Sequence, residues 1–242
     1  MNIDTETFGP IRRLLAVGGV AVAGTVALTG CGILEDAATE NTADDEVNSA
    51  QYDAVADAAE GDCLPEPPVG GATDTFAIAC DDPEAFWTLT AIAADPGITA
   101  TGGSIADPAA VYELCGEEIG ANIPGQAWTD WNMIYDQTTG NVDYLFCLEA
   151  TGNPTVDGAT PVYPSAEGEC FSSTDYMIGT YPCDAAGVDS TIVDTVEVQA
   201  DAWATAEADA ESIATGECSG DWTYYLPAID QFGRAAAVYC TN

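Results

Sequence analysis

Ala-Glu-Gly-Asp-Cys at Ala59–Cys63 returns as Ala-Glu-Gly-Glu-Cys at Ala166–Cys170. Each tag opens a stretch that contains three more cysteines. The first set is Cys63, Cys80, Cys115 and Cys147, at intervals of 17, 35 and 32 residues. The second is Cys170, Cys183, Cys218 and Cys240, at intervals of 13, 35 and 22. The central interval is the same, and the others differ by amounts that loops absorb. Aromatic residues fall between the third and fourth cysteine of each set, in WTDWNMIYD (residues 128–136) and WTYYLPAID (residues 222–230). Each set closes on an apolar run into its last cysteine, VDYLFC and AAAVYC. So many agreements in one order indicate an internal duplication. The copies are expected over residues 59–150 and 166–242, the second more divergent. They are joined by a Pro-, Gly- and Thr-rich linker over residues 151–165.

Within the first copy, TFAIAC and FWTLTAIA read as short strands, and ADPAAVYELCGEEIG reads as a helix that Asp107 caps, Pro108 begins and Gly120 ends. WNMIYD and VDYLFCL then form a hairpin across Gln137–Asn141. The second copy offers DYMIGTYPC, TIVDTVEVQ, a helix over about 200–214, WTYYLPA and RAAAVYC. Cys115 is expected inside its helix and Cys218 beyond the end of its own. The fold class is therefore α+β: two tandem, disulfide-stapled β-β-α-β-β units, each with one helix on an antiparallel sheet. Four cysteines allow three pairings per copy, and sequence alone does not choose among them. Element placement favours Cys63–Cys80 with Cys115–Cys147, and Cys170–Cys183 with Cys218–Cys240. No C-x₂₋₄-C pair occurs, so a zinc site is not expected.

Charge is the next anomaly. The chain carries 41 Asp and Glu against 3 Lys and Arg, with no Lys and no His. From Cys31 onward 39 acids face Arg234 alone, since only Asp4, Glu6, Arg12 and Arg13 come earlier. Such a surface has no cations for nucleic-acid phosphates and is repelled by anionic headgroups. The acids are spread along the chain rather than clustered. That pattern suits a salty medium, where a Debye length of about 3 Å at 1 M screens their repulsion. The alternative is recruitment of cations or of a cationic partner.

The N-terminus reads as an export signal over residues 1–30. Arg12 and Arg13 precede an apolar run from Leu14 to Leu28, too short for a membrane span, ending in Leu28-Thr29-Gly30-Cys31. This resembles a bacterial lipobox, which implies a diacylglycerol on Cys31 and anchorage on the outer face of the cytoplasmic membrane. It also accounts for the odd ninth cysteine, leaving eight for disulfides. The paired arginines leave twin-arginine export open beside the general route. Residues 31–58 are acidic and poor in large apolar side chains, as a disordered tether would be.

Gly61-Asp62-Cys63-Leu64, Cys80-Asp81-Asp82-Pro83, Cys115, the Trp128–Tyr135 stretch and Cys147-Leu148 together resemble the septum-formation-type extracellular domain of actinobacterial membrane proteins and lipoproteins. Gly168-Glu169-Cys170-Phe171, Cys183, Cys218 and Cys240 carry the resemblance more loosely to the end. It implies an envelope protein tied to cell division, without an established enzymatic activity. The family's histidine after the proline is Glu84 here, and the second copy has Asp184-Ala185-Ala186, so that histidine has no counterpart. Acidic lipoproteins of halophilic archaea share the same leader features and stand as the other origin.

Without His, Lys or a spare cysteine, Ser–His, Cys–His and Schiff-base chemistry have no residues to use. No cofactor, metal or catalytic residue is assigned. Asp81, Asp82 and Glu84 beside Phe86-Trp87 are the carboxylates nearest to a glycosidase-like group. Trp128, Trp131, Tyr135, Trp222, Tyr224 and Tyr225 are the candidate binding face for sugar rings or a partner, unless they fill the core. The sequence therefore points to a non-enzymatic, lipid-anchored binding or scaffold protein acting on an unidentified envelope protein or polymer. A carboxylate-dependent envelope hydrolase and a spacer without a specific ligand are the alternatives.

Overall fold

In both copies the tag makes the same turn. Asp62 N–H donates to Ala59 O at 3.1 Å and Glu169 N–H to Ala166 O at 3.2 Å. The acidic side chain then folds back onto the turn's first amide, Ala59 N–H to Asp62 Oδ2 at 2.9 Å and Ala166 N–H to Glu169 Oε2 at 2.9 Å. Gly61 and Gly168 hold φ of 93° and 88°, the sign a type II turn needs at its third position. An added Cβ would meet nothing within 4 Å at either glycine. Gly168→Ala is therefore expected to cost about 1–2 kcal/mol through backbone strain alone. Gly61→Ala should cost the same, both read from urea unfolding midpoints.

The computed structural model describes residues 14–18, 55–67, 77–101, 103–136, 138–175 and 177–242. Cys31, most of the leader and most of the expected tether lie outside the described residues. Of the leader, Leu14–Gly18 forms β1. The strands that follow are β2 (Cys63–Leu64), β3 (Trp87–Ala94), β4 (Ala100–Thr101), β5 (Ser104–Ile105), β6 (Thr129–Asp136) and β7 (Val142–Ala150). Then come β8 (Cys170–Phe171), β9 (Ser190–Glu197), β10 (Tyr224–Ile229) and β11 (Ala235–Thr241). The two helices are α1 (Ala109–Cys115) and α2 (Trp203–Glu217), the latter entered through a 3₁₀ turn at Ala200–Ala202.

One sheet runs β1-β6-β7-β3-β2, a second runs β10-β11-β9-β8, and β4 and β5 form a small two-stranded third, all antiparallel. Apart from β1, the order is the same in the first two. β1 lies against β6 with Leu14 opposite Asp136 and Gly18 opposite Asn132. The fold is thus α+β with antiparallel sheets. Among their described residues, DYMIGTYPC forms only single bridges at Thr180 and Tyr181, and TFAIAC only one bridge at Ile78.

The main core is shared between the two sheets. Alternate residues of β7 point opposite ways: Phe146 and Leu148 join Leu89, Ile134, Phe171, Ile192, Ala237 and Tyr239 in a cluster shared by both sheets. Leu145 and Cys147 instead pack with Trp131, Met133, Tyr135 and Val111 of α1. On the far side, Val238 and Cys240 of β11 meet Ala210 and Ala214 of α2. The layers are helix, sheet, sheet, helix, so the central strands β6, β7 and β11 are covered on both faces while the edge strand β10 stays partly exposed. Hence β7 and β11 read as nearly continuous apolar runs rather than clean alternations. A bulge between Leu89 and Ala91 keeps Leu89 and Ile92 on the same inner face.

α1 ends sooner than its sequence suggests. Ala109 N–H donates to Asp107 Oδ1 at 2.9 Å, as a cap should. Gly116, not Gly120, stops the helix, leaving it at φ 89°. Cys115 is therefore the last helical residue of α1, and Cys218 lies just beyond the last residue of α2, so both expected placements hold but differ by a single position. The disulfides are Cys63–Cys80, Cys115–Cys147, Cys170–Cys183 and Cys218–Cys240. Residues 151–165 pack into the structure: Thr160 bridges Thr180, Val162 bridges Ala127, and Tyr163 is buried in the shared core.

Candidate functional site

The six aromatic residues singled out from sequence divide sharply. Trp128, Trp131 and Tyr135 are buried. Trp128 sits in the shared core with its indole N–H donating to Ile178 O at 3.1 Å, and Trp131 and Tyr135 pack under α1. In this fold their rings are not offered to a ligand, because both faces of β6 are covered. Trp222 is partly buried against α2. Tyr224 and Tyr225 are the exposed members, at 68% and 40%, on β10 at the end of its sheet. Asp82, in the carboxylate group near Trp87, accepts the Glu84 N–H at 2.9 Å in a surface turn.

A densely bonded polar region lies where the β10–β11 hairpin meets the loop after α1. Asp230 opens the hairpin and accepts three bonds: Phe232 N–H at 2.8 Å and Arg234 N–H at 2.9 Å on Oδ1, and Arg234 Nε–H at 2.7 Å on Oδ2. The rest of the Arg234 guanidinium crosses to the other copy, donating to Glu117 O at 2.6 Å and Ile119 O at 3.0 Å. Its centre lies 4.9 Å from the Tyr112 ring, 5.1 Å from Phe232 and 5.4 Å from Trp203. The only cation among the described residues is thus spent on joining the two halves.

Beside it is a cavity of about 10 Å³, lined by Gly120, Asn122, Thr129, Asp130, Asp230 and Gln231 among others. Gln231 Nε2–H donates to Asp130 Oδ1 at 3.2 Å, and Asn122 Nδ2–H to Ile229 O at 3.1 Å. Burial pushes Asp130 up to about 6, offset in part by bonds from Trp131 N–H and Gln231. Burial also raises Asp230, with Arg234 pulling the other way. Two carboxylates with raised pKa resemble a hydrolase pair, but a cavity with room for one water admits no sugar ring.

The raised Asp130 pKa has a definite sign. The folded chain keeps this proton to about pH 6, whereas the unfolded chain releases it near pH 4. Stability therefore declines as pH rises through that window. Asp130→Asn is expected to remove this decline and to stabilise the chain at pH 7 by about 1–3 kcal/mol. Unfolding midpoints from pH 4 to 7.5 in choline chloride, whose cation is too large for a buried site, check it.

A separate cluster joins Tyr181 OH to Asp157 Oδ2 and Asp175 Oδ2, each at 2.7 Å. Among the described residues no three His, Cys, Asp or Glu side chains converge to hold a metal. No described helix is long and apolar enough to cross a membrane. The four disulfides point to an oxidising, exported setting. The chain matches no protein-family model, no curated protein and no solved structure.

Proposed function

We propose that the chain is an exported cell-envelope protein, anchored through a diacylglycerol on Cys31 after a cleavage that removes β1 from the edge of its sheet, that binds or scaffolds another envelope component through its second copy. Two tandem copies of a septum-formation-type domain account for the repeated tag, the repeated strand order and the repeated disulfide pattern. The observation that carries the binding role is the exposure of Tyr224 and Tyr225 on β10 at the end of its sheet. Exposed neighbouring tyrosines supply rigid contact area and a hydroxyl, which suits a protein partner or a glycan. The acid-rich surface favours a cationic or neutral partner and disfavours nucleic acid. The hydrolase reading is less favoured, because the raised carboxylates face a cavity too small for a substrate.

In-cell photo-crosslinking from position 224, followed by mass spectrometry, tests this. Lysine-directed reagents have no targets in this chain. The expected result is a small set of division or wall-synthesis proteins, lost when Tyr224 and Tyr225 are both changed to Ser. Recovery of only abundant envelope proteins, at the level of an unrelated lipoprotein, would leave a spacer role and sink the binding reading.

A further inference from the structure

In its sheet β6 has β7 on one side and the leader strand β1 on the other. β1 runs antiparallel to it, from Leu14 opposite Asp136 to Gly18 opposite Asn132. The hairpin sets the direction of the β6 amides. Asp136 N–H donates to Asn141 O at 2.8 Å, towards β7, so by alternation Tyr135 and Met133 turn their N–H and C=O to the β1 side. Further along, the edge closes on itself: Asn132 Oδ1 accepts from Met133 N–H and Asp130 Oδ1 from Trp131 N–H, each at 2.8 Å. The leader strand ends within this self-capped stretch, at Asn132. The corresponding strand of the second copy, β10, ends its sheet and carries Pro227 with a bulge between Pro227 and Ile229. Proline and bulges keep an edge from pairing. β6 has no proline.

We propose that removal of the leader opens the β6 edge to an extended apolar segment, flanked by basic residues, of another envelope protein, which adds antiparallel over Asn132–Asp136 as β1 does. This rests on the proposed processing at Cys31 and assigns a second surface, on the first copy, apart from Tyr224 and Tyr225. The chemistry of the occupant follows from what the edge holds. Leu14-Leu15-Ala16-Val17-Gly18 is uncharged, and Arg12 and Arg13 precede it in sequence. A basic flank also suits a chain of net charge −38. The same charge disfavours a second copy of this chain, whose own β6 would bring Asp130 and Asp136 with it. In strand addition the main-chain bonds supply the affinity, and here Tyr135 and Met133 provide them.

The test uses the protein purified from its cells in detergent. Its N-terminus is read by mass spectrometry, and a labelled peptide of residues Pro10–Val20 is titrated by fluorescence anisotropy. Saturable binding is expected. N-methylation of the peptide at Leu15 and Val17, whose amides face β6, should weaken it about tenfold or more. N-methylation at Ala16, whose amide faces away, should change it less than about twofold. Hydrogen exchange at Tyr135 N–H should slow when the peptide binds, while Ile134 N–H, directed at β7, stays as it was. Equal weakening by both methylations, or equal binding of a scrambled peptide, would overturn the proposal and leave only attraction between charges. Self-association of the processed chain that the peptide does not displace would overturn it in favour of a second copy. A cell-derived chain that keeps residues 14–18 would sink the processing at Cys31 and this proposal together. A processed chain that ignores the peptide would sink this proposal alone.

Discussion

Arg234→Ala is expected to destabilise the chain by about 3–5 kcal/mol, the range for removing one partner of a buried ion pair. The Asp230 side chain is 1% exposed and Arg234 14% exposed, so little water is available to compensate the carboxylate left behind. Two carbonyls on the opposite copy, Glu117 O and Ile119 O, lose their donors at the same time. The ring cage of Tyr112, Phe232 and Trp203 loses the cation it surrounds. Arg234→Lys should recover less than half, because an ammonium cannot reach Asp230 and both carbonyls in the planar geometry that the guanidinium provides. Asp230→Asn in the Arg234→Ala background should restore part of the loss by removing the unmatched charge. Urea unfolding of the native chain, Arg234→Ala, Asp230→Asn and the double variant as a double-mutant cycle, with Arg234→Lys measured beside them, checks all three statements. If Arg234→Ala changed the midpoint no more than a surface substitution, the seam would not depend on this residue.

The central strands and the two helices were readable because they depend on local pattern, β-branched and aromatic runs and a capped helix, and the favoured cysteine pairing followed from where those elements place the cysteines. The face-to-face packing of the two sheets was not readable. A strand buried on both faces loses the alternation that would show which side is inward, and β7 and β11 are both of that kind. The expected binding face failed for the same reason at β6, whose Trp131 and Tyr135 lie under α1 while Ile134 meets the other sheet. The seam did leave a trace. Asp136 ends β6 and Asp230 directly follows β10, at the corresponding hairpins of the two copies. Both aspartates turn back onto nearby amides, Asp136 onto Thr138 and Thr139, and Asp230 onto Phe232 and Arg234. What distinguishes the second copy is the single arginine that follows, and its partners lie more than 110 residues away in sequence. No local signal carries that distance.

Replacing Cys115 and Cys147 together with Ala is expected to cost about 3–4 kcal/mol, the most of the four bridges, because this one closes the longest loop at 32 residues. The corresponding Cys218–Cys240 pair closes 22 residues and should cost about 3 kcal/mol. A second difference widens the gap. α1 has only 7 residues, too few to persist without being held, whereas α2 has 15 and presses Ala206, Ala210 and Ala214 inward. Hydrogen exchange should therefore show α1 opening locally in the Cys115/Cys147 variant while β10 and β11 stay protected, and α2 surviving in the Cys218/Cys240 variant. Equal and global loss of protection in both would mean that the layers unfold as one unit and that neither bridge acts locally. Either result bears on where the chain works. With a shared core between sheets and an outer helix on each side, the bridges pin the outermost layers, which carry the least apolar surface to hold them. A reducing compartment would release those layers first, and only an oxidising one keeps all four layers in place.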